Sequence, residues 1–355
     1  ASPAAVDQYE ETQASLVGFS TIFKKNNLIV KPKLYWKRNQ DMYVYLRQDP
    51  SVYRNLHISD KVGAEVNIST SNSLGNLGLG FDLSKVSLTS NNLGNRDRIM
   101  LNMFMEQKIK FQNEKIDLTP GIAVSYFSDV STRLNYQSNF FKNLFFYPGM
   151  DIGYRFNDKL KMYSNIGYTY RIPTYTDLFY SSPTTLGNEN LKLEKAFTKE
   201  VGLKYFKNNL NINVSLYERN SSDVIDYVKN NETEPWQANN IREIVTNGFE
   251  LNMGYKFYLG DFRLQRINIG FSNINDELLE TSFAFSRYAL NSLKNQITAT
   301  YIFEIDEKIS STLAYKNAKR INEEKYTVID LRTSYKFDKF TCLLYTSPSP
   351  RDSGK

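Results

Sequence analysis

Residues 197–217 read FTKEVGLKYFKNNLNINVSLY, and their order decides the fold. Phe197, Val201, Leu203 and Tyr205 share one parity, and Thr198, Glu200, Gly202 and Lys204 share the other. After the polar break Lys207–Asn209 the alternation resumes, with Leu210, Ile212, Val214 and Leu216 set against Asn211, Asn213, Ser215 and Tyr217. Successive side chains of a strand point to opposite faces, so period two sustained over about ten residues predicts a strand with one apolar face. Two such runs joined by a short Asn-rich break predict an antiparallel hairpin.

The same pattern extends outward in both directions. Leu160, Met162, Ser164, Ile166, Tyr168 and Tyr170 alternate with Lys161, Tyr163, Asn165, Gly167 and Thr169. Short polar turns are expected at Lys24–Asn27, Ser71–Asn76, Gln112–Glu114, Asn157–Lys159, Lys207–Asn209, Tyr258–Asp261, Ile305–Glu307 and Asp338–Lys339. Between them, long loops are expected near 38–58, 87–96, 128–144, 171–195, 219–244, 276–291 and 318–325. Short turns alternating with long loops is the layout of a transmembrane antiparallel up-and-down β-barrel, with about 15–16 strands present. A strand of about 11 residues rises roughly 36 Å, and a tilt of about 40° leaves about 28 Å, enough for an apolar band of about 25 Å. Leu210, Ile212, Val214 and Leu216 are expected to face lipid, and Asn211, Asn213 and Ser215 the lumen.

Composition agrees with that class. Only 41% of the 355 residues are hydrophobic, and the mean hydropathy is −0.48. That leaves no run near the roughly 20 apolar residues a transmembrane helix needs. Tyr and Phe number 25 and 23 against 2 Trp, and a barrel uses such rings where the membrane meets water. Tyr126, Phe127, Phe145, Tyr147, Tyr168, Tyr170, Tyr255, Tyr258, Tyr335 and Phe337 stand at expected strand ends. The formal charge of +6 is spread among alternating signs, so no nucleic-acid partner is expected. The single cysteine, Cys342, can form no internal disulfide. The chain begins at Ala1 without a Met, a basic region or an apolar segment, so a signal peptide is expected to have been removed or to lie upstream. The tail, TCLLYTSPSPRDSGK, departs from the strand pattern. The expected division is therefore a partial barrel over 1–341 and a non-native tail over 342–355.

Residues 170–205 read YRIPTYTDLFYSSPTTLGNENLKLEKAFTKEVGLKY. They resemble the segment of TonB-dependent receptor barrels that runs R-x-P-[ST]-[YF]-x-[DE]-L-[YF], then G-N-x-x-L-K-P-E, then a strand E-x-G-x-[KE]-[YF]. Arg171, Pro173, Thr174, Asp177, Leu178 and Tyr180 match the first part. Gly187, Asn188, Leu191, Lys192 and Glu194 match the second, with Leu193 where the family has proline. Glu200, Gly202, Lys204 and Tyr205 match the third, and Asn247, Gly248, Phe249 and Glu250 resemble a further family strand start. The likeness is dense over 145–260 and diffuse over 12–340, and it is closest to receptors of Bacteroidetes-type bacteria, some of them cobalamin-receptor-like.

The resemblance implies a bacterial outer-membrane location, a 22-stranded barrel with a plug absent here, and no enzymatic activity or cofactor. It also implies partners: outer-membrane lipid, TonB acting through an amino-terminal region, and an iron-siderophore complex or other metal chelate, or cobalamin, as ligand. A pairing of Arg171 with Glu194 inside the lumen is one option; a loop-folding motif without ligand contact is the other. Ligand contacts are expected from loop aromatics and amides: Tyr175, Tyr180, Tyr227, Trp236, Gln237 and Asn239. Trp236 either contacts ligand or staples its own loop.

Two alternatives stay open at this point, a passive porin and a barrel hydrolase. The latter needs a histidine base, and the only histidine, His57, falls in an expected loop. Asp223, Asp226, Glu232 and Glu234 lack the spacing of a calcium loop, and no Cys/His set suggests a metal site.

Overall fold

The computed structural model describes residues 7–111, 113–130, 144–260, 263–279, 283–287, 292–321 and 323–346. It opens with β1 (Tyr9–Ser20), β2 (Phe23–Lys25), β3 (Leu28–Val44), β4 (Arg54–Asn72), β5 (Gly75–Ser90), β6 (Arg96–Phe111), β7 (Ile116–Val130), β8 (Leu144–Arg155) and β9 (Leu160–Arg171). A short helix, α1 (Tyr175–Phe179), and two brief strands, β10 (Ser181–Ser182) and β11 (Thr185–Leu186), precede β12 (Glu194–Lys207). The chain continues with β13 (Leu210–Lys229), β14 (Trp236–Leu259), β15 (Arg263–Leu278), β16 (Phe285–Ser286), β17 (Leu293–Glu304), β18 (Ile309–Arg320), β19 (Tyr326–Lys336) and β20 (Thr341–Tyr345).

The wall is a meander. β1 and β2 both pair with β3, each following wall strand pairs antiparallel with the next through β9, and the order then runs β9, β12, β13, β14, β15, β17, β18, β19, β20. That makes 15 long staves and the five-residue β20, the number the alternation predicts. No ladder joins β1 to β20 among the described residues, and no plug is evident among them. Residues Cys342–Tyr345, within the expected non-native tail, pair with β19 at Tyr335↔Cys342 through Arg332↔Tyr345. Residues 347–355 lie outside the described residues.

Short turns close where expected among the described residues; Gln112 and Asp261, in two of the expected turns, lie outside them. Asn26 (φ 51°) and Asn208 (φ 48°) take the left-handed conformation that a two-residue hairpin demands and that Asn tolerates. The long connections differ from expectation in extent. β3 and β4 continue to Val44 and from Arg54, and β13 and β14 continue to Lys229 and from Trp236. Much of the expected loops 38–58 and 219–244 is therefore strand. The expected loop 128–144 falls largely outside the described residues, and so do residues 280–282 and 288–291 of the expected loop 276–291.

The two faces of the wall separate by polarity. On β12 and β13, Val201, Leu203 and Leu216 are 39%, 46% and 56% exposed among the described residues. The opposite face holds a hydrogen-bonded polar layer. Tyr163 Oη donates to Glu200 Oε1 (2.9 Å), and Asn165 Nδ2 donates to Glu200 Oε2 (3.1 Å). Ser215 is 3% exposed on that face. Lipid against the apolar face leaves these amides and carboxylates in the wet lumen, whereas the inverse would strand each amide in hydrocarbon at roughly 4–8 kcal/mol and each carboxylate at a still higher cost. Gly202 and Gly248 each lie under a cross-strand tyrosine, Tyr163 and Tyr217, whose ring occupies the space a Cβ would take.

Aromatic rows mark both ends. Phe127, Phe145, Tyr147 and Tyr170 touch in sequence, with ring centres 5.5, 5.8 and 5.0 Å apart between Phe127–Phe145, Phe145–Tyr170 and Tyr147–Tyr170. At the short-turn end, Tyr154–Phe156, Tyr255–Phe257, Tyr301–Phe303 and Tyr335–Phe337 pair in the same way. Nine residues separate Phe145 from Tyr154 on β8. That is roughly 30 Å along the strand and, at a tilt of about 40°, about 23 Å along the membrane normal.

The buried apolar residues sit in neither row. Val44, Leu88, Leu93, Ala196, Ile225, Tyr227, Val228, Ala238, Ile241 and Ala318 all lie toward the long-loop end. A barrel wall solvated by lipid needs no core of its own; the cap over its mouth does.

Candidate ligand site at the long-loop end

The cap is organised by the segment between β9 and β12, residues 172–193, here called the strap. Thr174 caps α1: its hydroxyl accepts from Asp177 N (3.1 Å), while the Asp177 carboxylate accepts from Thr174 N (2.9 Å). Arg171 then joins three segments. Its Nη1 donates to Asp177 (3.1 Å), its Nε to Glu194 (2.9 Å) and its Nη2 to the Ile225 carbonyl (3.3 Å). Asp177 and Glu194 are mostly buried, so the guanidinium compensates two carboxylates that would otherwise lack a counter-ion. The Arg171–Glu194 pair open at the sequence level is present, and it folds the loop.

Gly187 answers a steric demand. A Cβ there would lie 2.7 Å from the Leu178 carbonyl carbon and 2.8 Å from Phe179 N. Gly187 N donates to the Tyr180 carbonyl (2.6 Å) and Asn188 N to the Asp177 carbonyl (2.8 Å), which turns the strap back against α1. Leu191 N then donates to the Asn188 carbonyl (3.4 Å).

The strap spans from one part of the wall to another. On one side, buried Arg98 forms a bidentate pair with Asp129 (2.5 and 2.8 Å) and donates to the Pro173 carbonyl (3.1 Å). Its guanidinium also lies 4.9 Å from the Tyr175 ring centre. Farther along, Tyr180 Oη meets Tyr53 Oη (3.3 Å) and accepts from Asn55 (3.4 Å), and Asn92 Nδ2 donates to the Ser181 carbonyl (2.8 Å). On the other side, β11 makes a two-residue parallel bridge to β14, Thr185↔Trp236 and Leu186↔Gln237. Asn240 receives Lys192 N (2.8 Å) and donates to the carbonyls of Lys192 (3.1 Å) and Asp223 (2.6 Å).

The β13–β14 hairpin completes the cap. Asp223 adopts a positive φ of 53°, and the ladder skips it between Ser222↔Glu243 and Val224↔Ile241. Beyond this kink Ile225, Asp226, Tyr227 and Val228 are all buried, covered by β11 beside β14 and by β16 beside β13. Asp226 accepts from Tyr227 N (2.6 Å) and from the Ser286 hydroxyl.

Strap and hairpin enclose a cavity of about 810 Å³, lined by Arg171, Thr174, Thr176, Asp177, Tyr180, Ser182, Thr184, Thr185, Glu194, Val224, Ile225, Asp226, Tyr227 and Arg287. Its size lies within the range of small-molecule sites, roughly 300–1,000 Å³. Burial, reinforced by the Tyr53 hydroxyl, pushes the Tyr180 phenol above its ordinary value. Burial and then Asp129 do the same to Tyr175. Both phenols stay protonated near neutral pH, and Tyr180 can serve a ligand as donor or acceptor.

Of the six residues expected to contact ligand, Tyr180 and Tyr227 line this cavity. Tyr175 lies beside Arg98 instead. Trp236 begins β14, donates its backbone N–H to the Thr184 carbonyl (2.9 Å) and has Lys229 Nζ 4.9 Å from its ring centre. Gln237 pairs with Leu186 and Val228, and Asn239 accepts from Asn188 (3.4 Å). These three make contacts within the cap and are not among the residues lining this cavity. Arg98, Asn55, Asn92, Asn240 and Arg287 went unnoticed in the sequence. Their partners are distant along the chain, and no local spacing signals them.

His57 lies on β4, not in a loop, with Asp41 and Ser90 as its ladder partners. Its Nδ1 is 2.7 Å from Ser90 Oγ. That oxygen already accepts from Asn92 N (3.1 Å) and Leu93 N (2.8 Å) and is buried. It caps a turn and offers no open face for nucleophilic attack. Glu234 likewise closes the hairpin tip, accepting from Asn230 N (3.0 Å) and Asn231 Nδ2 (2.7 Å). Among the described residues no group of three or more His, Cys, Asp or Glu is placed to hold a metal ion.

A family model described as TonB dependent receptor-like, beta-barrel, matches residues 9–345. The vitamin B12 transporter BtuB of Vibrio vulnificus is 22% identical over 193 residues, 53% of this chain and 29% of that protein. The hemophore receptor HasR of Serratia marcescens superposes with a TM-score of 0.70 at 16% identity, over 94% of this chain and 62% of its own. The siderophore receptor PirA of Pseudomonas aeruginosa gives 0.67 at 12% identity, over 94% and 60%. The chain thus spans about three tenths of that curated relative and about three fifths of those receptors.

Proposed function

Since the chain belongs to the TonB-dependent receptor β-barrel family, a family of the outer membrane of Gram-negative bacteria that serves nutrient uptake, we propose that it forms the barrel of a receptor for a scarce nutrient. The ligand is a metal chelate, such as an iron-siderophore complex, or cobalamin. It is captured at the outer mouth and passed inward with energy delivered through TonB. The observation that carries this reading is the 810 Å³ cavity walled by the strap and the β13–β14 hairpin. A passive pore gains nothing from a preformed polar pocket, whereas capture from dilute solution requires one.

Ligand choice is a proposal supported in two directions. The BtuB relative carries vitamin B12 by its name, and PirA is by its name a siderophore receptor. Uptake of radiolabelled cyanocobalamin and of a radiolabelled ferric siderophore would be measured in cells making the receptor, with the proton-motive force intact and collapsed. Accumulation of one ligand that ceases when the force collapses or TonB is deleted is the expected result. Uptake of either ligand that continues unchanged without TonB would indicate a passive channel.

A further inference from the structure

The lining of the cavity bears on which ligand it accepts, an inference that rests on the receptor reading above. Its ionised groups are Arg171 and Arg287 against Asp177, Glu194 and Asp226, so the formal balance is one negative charge. Arg171 is already engaged by both Asp177 and Glu194 and by the Ile225 carbonyl. No lysine is among the lining residues. Half of the lining residues carry a hydroxyl, and each hydroxyl can both donate and accept.

We propose that this cavity binds an uncharged, hydrogen-bonding small molecule, bearing amides or hydroxyls, and rejects multiply anionic metal chelates. An anion entering here would meet carboxylates that already hold the nearest guanidinium. A highly charged chelate needs a lining of the opposite sign, because complementary potential sets both encounter and selection. Amide and hydroxyl groups need only paired donors and acceptors, which the hydroxyls of Thr176, Tyr180 and Thr184 supply from the strap.

The test uses the intact receptor in detergent and calorimetric titration with three probes: cyanocobalamin, a neutral oligosaccharide and a trianionic ferric tris-catecholate. Saturable binding of an uncharged probe is expected, with the trianion weaker by about tenfold or more. The first two probes separate an amide-bearing from a hydroxyl-bearing ligand. Thr176→Val combined with Thr184→Val removes lining hydroxyls at exposed positions, and it should weaken the uncharged probe by about tenfold or more while the barrel remains folded. Thr176→Lys should improve binding of the trianion. Tighter binding of the trianion by the unmodified receptor would overturn the inference and leave the receptor reading standing. Uncharged binding that ignores the double valine variant would also overturn it, by placing the ligand elsewhere. If none of the probes, nor any other siderophore, binds the folded receptor, the receptor reading fails and this inference with it.

Discussion

Arg171 and Gly187 show how a few residues shape the strap. Arg171→Met keeps much of the side-chain volume and removes the group that joins Asp177, Glu194 and the Ile225 carbonyl. The Arg171 side chain is 42% exposed, so solvent can partly replace it. A loss of roughly 1–3 kcal/mol in local cap stability is expected. Faster proteolysis within 172–193 on intact cells, with the barrel still inserted, would register it; an unchanged cleavage rate would show that the carboxylates do not depend on Arg171. Gly187→Ala places a methyl 2.7 Å from the α1 backbone, which cannot yield as a flexible side chain can. It should disorder the strap at least as severely, with the same readout.

The family-like residues were legible because their constraints are local. Thr174 and Asp177 stand three apart as a capping box must, and Pro173 and Gly187 punctuate a loop. Trp236 was harder to place. A large ring in a polar stretch signals a contact with something; the structure puts Lys229, in the facing strand, over the ring, while the backbone N–H of Trp236 reaches the Thr184 carbonyl, 52 residues upstream. Nothing near Trp236 in the chain distinguishes that from a ligand.

At the scale of elements, the expected loop 219–244 is the outermost part of a hairpin whose strands have 20 and 24 residues. Only about 11 are needed to cross the apolar band. The rest alternates poorly because beyond Asp223 both faces are covered, and two-sided burial erases period two. Sequence alternation therefore located the membrane portion and missed the extension. Asn240 ties this extension to the strap through two hydrogen bonds with the Lys192 backbone, and a third joins it to the Asp223 carbonyl within the hairpin. Asn240→Ala leaves these backbone groups unpaired, at roughly 1–3 kcal/mol for each group that water cannot reach. Hydrogen exchange should speed at Lys192 N while the β13–β14 ladder below Ser222 stays protected; equal protection in both proteins would argue against the tie. Within the membrane portion, spin labels at Leu210, Ile212, Val214 and Leu216 should be broadened by oxygen more than labels at Asn211, Asn213 and Ser215. The opposite ranking would turn the barrel inside out.

For the whole molecule, the division of labour is between a wall with no core and a cap that has one. The wall is held by ladders between sequence neighbours, which is why alternation and turn spacing were enough to predict it. The cap depends on contacts such as Tyr53–Tyr180, 127 residues apart, and these are set by the closing curvature of the wall. The account stands on one orientation: long connections outside the cell, short turns in the periplasm. Single cysteines introduced as Thr233→Cys at the hairpin tip and Asp158→Cys in a short turn, each in a Cys342→Ser background, put that orientation to a direct test. A membrane-impermeant maleimide applied to intact cells should label the Thr233→Cys protein alone, and both proteins after the outer membrane is opened. Labelling of the Asp158→Cys protein in intact cells, with Thr233→Cys protected, would contradict the account.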